Sequence, residues 1–179
     1  MTKEDLEKIL FSKRILVYVV LDGAAVDGLP MKLYEMNPPH YCLFRGELAP
    51  DMVEVAPYVV QLVQNTSFTD WVLSENSGKH WGFFAHSLHS IKEMRRHFRS
   101  LVTVYDEQGK PMIFRFYDPR VLRNFLPTCN ADELQTFFGK VETFFAENEK
   151  QQPFSAFGLE NGFSFSSSAK NVSTLPKNV

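Results

Sequence analysis

The run Ile15-Leu16-Val17-Tyr18-Val19-Val20-Leu21 constrains this chain more than any other segment. Seven consecutive apolar residues, four of them β-branched, make a strand with no polar face. Such a strand is stable only in the interior of a sheet that is covered on both sides. Helices must therefore pack on a central sheet, which places the chain in the α/β class with α+β character. Asp22-Gly23 ends the run, which is far shorter than the roughly 20 residues needed to cross a bilayer.

The remaining punctuation supplies the other elements. Thr2 as N-cap with Asp5 predicts a helix from about Lys3 to Phe11. A helical turn through Lys32 to Met36 stops at Asn37-Pro38-Pro39, and Tyr41 to Phe44 and Tyr58 to Val63 read as strands. Ser67 caps a helix to about Asn76, and His80 to Ala85 is strand-like. Ser90 and Glu93 form a capping box, behind which Ile91, Met94, Phe98 and Leu101 trace one apolar helical stripe. Val102 to Tyr105 and Met112 to Tyr117 flank Asp106-Glu107-Gln108-Gly109 as a hairpin. Asp118-Pro119 starts a short helix that Pro127 ends, and Asn130 with Glu133 caps another over Leu134 to Phe138. Periodicity leaves Val141 to Ala146 open between strand and helix. Helices alternate with strands while at least one strand pair is a hairpin, so the expected architecture is a single domain with a mixed sheet.

With 179 residues there is room for one domain, expected over residues 1–147. From 148 to 179 the chain turns rich in Ser, Asn, Gln and Lys, yet Phe154, Phe157, Phe163 and Phe165 surround Asn161-Gly162, a strong hairpin dipeptide. This reads as an extension holding a possible hairpin and then a flexible tail. Phenylalanine fills 17 positions, and the surplus is a motive for expecting an apolar binding surface. The formal charge of −2 argues against nucleic-acid or anionic-membrane binding. Cys42 and Cys129 match neither a metal nor a disulfide spacing and suit a reducing compartment. The N-terminal segment carries no secretory pattern, and the expected location is the cytoplasm.

No serine elbow, phosphate loop or dinucleotide fingerprint is present. His40 and Cys42 share a strand face, and His89, Glu93 and His97 recur at four-residue steps. Core packing and solvent-facing hydrogen bonds account for these patterns better than a nucleophile or a metal site. Lys92, Arg95, Arg96 and Arg99 lie along one helix face, as a solvated surface, a dock for an acidic segment or, less favoured, a grip for nucleic acid. Glu47, Asp51 and Glu54 form an acidic loop. In Phe114-Arg115-Phe116-Tyr117-Asp118-Pro119-Arg120, alternation places Phe114 and Phe116 on one face, and Arg115 and Tyr117 on the other. Asp118 caps the next helix, and Arg120 can return to Asp118 or Glu47. This segment is a structural corner at Asp118 and Pro119, or a recognition notch anchored by Tyr117 and the arginines.

Trp81-Gly82-Phe83-Phe84, Phe98-Arg99, Phe114 to Leu122 and Phe125-Leu126-Pro127 together closely resemble the type VI secretion adaptor, or effector-chaperone, family. Gly46 to Pro50, Ala56 to Val60 and Leu134 to Gly139 extend the match over roughly Ile15 to Phe145. The resemblance implies a cytosolic, non-enzymatic protein of a Gram-negative bacterium. Such a protein binds a secreted toxic effector and loads it onto the VgrG spike, with no cofactor, metal or small-molecule substrate. The expected partner-binding residues are Trp81, Arg95, Arg96, Arg99, Arg115, Tyr117, Arg120, Phe157, Phe163 and Phe165. The competing expectation is a small hydrolase using Asp118, Glu47 or a histidine.

Overall fold

The computed structural model describes residues 2–148, 154–160 and 164–168, the backbone alone for residues 160 and 164–168. Helix α1 (Lys3–Leu10) starts at the Thr2–Asp5 capping box and leads into β1 (Leu16–Asp22), buried except at its first residue. Next come α2 (Leu29–Met36), the short strand β2 (His40–Cys42), α3 (Pro50–Val55) and β3 (Pro57–Leu62). Helix α4 (Ser67–Glu75), β4 (Gly82–Ser87) and α5 (Ile91–Val102) follow, the last opened by the Ser90–Glu93 box. The hairpin β5 (Thr103–Tyr105) and β6 (Pro111–Ile113) precedes α6 (Pro119–Phe125), α7 (Ala131–Phe138) and β7 (Thr143–Glu147). Strands β8 (Phe154–Glu160) and β9 (Ser164–Ser168) complete the described chain.

Seven strands form one sheet in the order β2-β3-β1-β4-β7-β8-β9, with β1 in its interior as its apolar sequence demands. Side chains alternate between two cores. Tyr18, Val20, Phe83, Ala85 and Phe144 face α5, α6 and α7 through Met94, Phe98, Leu122 and Phe137. Val17, Val19, Leu21, Phe84 and Phe145 face α1, α2 and α4 through Leu10, Leu33, Phe68 and Val72. The single α+β domain with helices on both faces is observed.

The sheet is antiparallel at every described pairing rather than mixed. Between β1 and β3 the chain reverses through two helices and β2; between β4 and β7 it reverses through three helices and a hairpin. Each returning strand therefore runs against its neighbour, a parity that counting helices in a sequence does not reveal.

The hairpin is also shorter than its apolar pattern. Pairing stops at Ile113, β5 and β6 form their own two-stranded sheet, and Phe114 to Tyr117 turns into the core. The expected face alternation of Phe114 to Tyr117 is lost, because Phe116 and Tyr117 are buried in one cluster. The acidic loop at Glu47, Asp51 and Glu54 is partly helical, as α3, with Pro50 at its first position.

Candidate functional site: a buried acid–arginine corner

Two carboxylates sit almost out of reach of water where the sheet meets the start of α6: Asp22 is 2% exposed and Asp118 5%. The apolar neighbours of β1 force its last residue into the same interior, so Asp22 must find partners there. Its backbone N–H donates to the Trp81 carbonyl at 2.8 Å. Its Oδ1 accepts from the Ala24 N–H at 3.0 Å, and its Oδ2 from Arg115 Nη2 at 2.5 Å. Asp118 takes the backbone N–H and Nε of Arg120 on Oδ1, at 2.9 and 3.0 Å, and Nη2 on Oδ2 at 2.7 Å. Arg115 Nη2 also lies 4.0 Å from Asp118 Oδ2, so it stands between the two acids. Both guanidiniums are about half in solvent, 50% and 55% exposed.

The electrostatics follow from this pairing. Burial acts to raise the Asp118 carboxyl, but hydrogen bonds from Arg120, helped by the charges of Arg120 and Arg115, leave it below the ordinary value. The Tyr117 phenol is pushed up to about 12, first by burial and then by the Asp22 charge, with Arg115 opposing. The corner thus keeps Asp118 in its charged form beside Arg115 and Arg120, and the Tyr117 phenol neutral. Its built-in chemistry is a clamp that fixes the end of β1 to the turn before α6.

A third buried acid marks the same end of the sheet. Glu147 closes β7, across β4 from Asp22, and accepts the Gly78 N–H at 2.6 Å and the His80 N–H at 2.9 Å. His80 Nδ1 lies 3.2 Å from Oε2, and Arg123 Nη1 donates to the Glu147 carbonyl. Asp22 and Glu147 were missed as site residues. The signal available in sequence was an acid ending an apolar strand, a place where burial is imposed rather than chosen.

Several expected surface anchors are core residues. Trp81 is buried, with Trp71 at 5.1 Å between ring centroids and Lys79 Nζ 4.8 Å from its own ring centre. Tyr117 and Phe157 are buried in the cluster under α5 and α7, and the rings of Phe83, Phe98, Phe116 and Phe144 fill the same space. The phenylalanine surplus is thus spent largely on the core. Phe163 lies outside the described residues, as does the side chain of Phe165.

The basic helix face is also divided. Arg99 Nη2 donates to the carbonyls of Cys42 and Phe44 at 3.1 and 2.6 Å, and Arg95 lies 4.7 Å over the Tyr41 ring. Strand β2 ends the sheet, and these arginines cover it. Lys92 and Arg96 remain exposed.

The histidines and cysteines have local uses. His89 Nδ1 lies 3.2 Å from Glu93 Oε1, while His97 Nε2 meets the Phe137 carbonyl at 3.0 Å. Hydrogen bonds from Ser90, then from Lys140 and His89, draw the Glu93 carboxyl down to about 2. Burial pushes the Cys42 and Cys129 thiols up, favouring the protonated form. Among the described residues, no three His, Cys, Asp or Glu side chains are grouped to hold a metal ion. Among them, too, no helix is long and apolar enough to cross a membrane.

An antiparallel sheet between two helical layers, closed at one end by a self-compensated polar corner, defines the class of this protein. The model of the family described as "Domain of unknown function (DUF4123)" matches residues 17–136, most of the chain, and the chain belongs to that family. No curated protein and no solved structure gives a significant match.

Proposed function

We propose that this chain is a non-enzymatic adaptor of the type VI secretion system that binds a toxic effector and delivers it to the VgrG spike. The observation that carries the reading is family membership over residues 17–136, the span that holds the motifs Trp81 to Phe84 and Phe114 to Pro127. The acid–arginine corner is consistent with it. Each charged group there is engaged inside the chain and serves to position elements, which leaves recognition to the outer surface. Co-expression of the full chain with the effector encoded beside its gene, and separately with VgrG, tests the proposal. Recovery of either protein on purification of the chain is the expected result; recovery of neither refutes it.

A further inference from the structure

Large apolar side chains crowd the β5–β6 hairpin in the open: Tyr105 is 68% exposed, Ile113 58% and Met112 46%, with Val104 beside them. A two-stranded hairpin on its own is marginal in water, and an apolar one is more so. Beneath it, Leu101 of α5, Val104, Phe114, Phe125 and Phe137 of α7 line a groove of about 360 Å³. Val104 pairs with Met112, so these two share a face, and Met112 stands beside the groove's Val104 on the second strand. Among the described residues, the charged ones lining the groove are Asp132 and Glu133. Glu133 accepts the Asn130 N–H at 2.8 Å, and among the described residues neither acid has a cationic partner.

We propose that this groove docks an apolar segment of a partner protein flanked by lysine or arginine, its apolar face on Leu101, Val104 and Met112 and its cations on Asp132 and Glu133. The inference rests on reading the chain as an adaptor, and it reverses the charge expected of the partner. The arginines that suggested an acidic ligand are partly spent on β2, whereas the groove offers carboxylates. An amphipathic helix is the form that such grooves accept.

The probe is a fluorescein-labelled amphipathic peptide of about 16 residues made of Leu and Lys, compared with its Leu and Glu counterpart, titrated by anisotropy against the full chain. The Lys peptide is expected to bind about tenfold or more tightly than the Glu peptide. Met112→Glu and Asp132→Lys, both at exposed positions and checked for native circular dichroism, are each expected to weaken it severalfold. Equal binding of the two peptides, no binding of either, or variants that bind like wild type would overturn the proposal. So would a dimer seen by light scattering that Met112→Glu dissolves, since the occupant would then be a second copy. Effector or VgrG retained by the groove variants removes the groove and spares the adaptor reading. A wild-type chain that captures neither removes the adaptor reading, and the peptide titration still decides the groove.

Discussion

Asp22 shows at the scale of one residue what the corner depends on. Asp22→Asn keeps the shape but removes the charge that Arg115 faces, while Arg115 itself can return to solvent. The expected loss is about 2 kcal/mol, the range for a hydrogen bond to a charged group, read as a lower urea midpoint at unchanged slope. Acid titration separates two sets of groups. Burial holds His86 and His97 below their ordinary value of 6.5 despite their carbonyl partners. In the unfolded chain they take up protons near that value; in the folded chain they do so only lower. Stability is therefore full above about pH 6.5 and is lost as pH falls through their folded values. Asp118 is also depressed, so its contribution is present above the ordinary carboxyl value and is lost only at lower pH still. Melting temperature measured from pH 8 down to pH 3 should fall in two stages. His97→Gln should flatten the first stage, and Asp118→Asn the second.

Elements were legible in sequence wherever a local rule is written in one place. The Thr2, Ser90 and Asn130 capping boxes and the Asp118 cap stand where the residues set them. Central β1 needed only its own composition. Helix α3 escaped because Glu47, Asp51 and Glu54 drew attention to charge, although Ala49-Pro50-Asp51 carries a helix start. The candidate site was half visible. Asp118 and Arg120 are two residues apart and announced their pairing, whereas Asp22 and Arg115 are joined only by the sheet packing against a turn. Trp81 and Tyr117 looked like recognition anchors because aromatic residues serve both surfaces and cores, and only topology decides between the two. Gly82 belongs to this scale too. A Cβ there would collide with the Val20 carbonyl, so β1 and β4 meet closely at that point. Gly82→Ala is expected to cost about 2 kcal/mol or more, by forcing apart strands that carry both cores, measurable by chemical denaturation.

Across the whole molecule the two cores share one sheet, so they should melt together. Trp71 and Trp81 report on the face under α1, α2 and α4, while Phe157 packs on the opposite face. Phe157→Ala should remove about 3 kcal/mol and move the tryptophan fluorescence transition by the same amount as the far-ultraviolet circular dichroism transition. Separate transitions for the two signals would mean that the layers unfold independently. The order of strands carries one more consequence. The family model matches residues 17–136, yet β7 comes later and is wedged between β4 and β8, giving Phe144 to one side and Phe145 to the other. A gene trimmed at residue 136 would bare a raw flank along β4, its amides and carbonyls unsated and bordered by naked rings, a template for fibrous stacking.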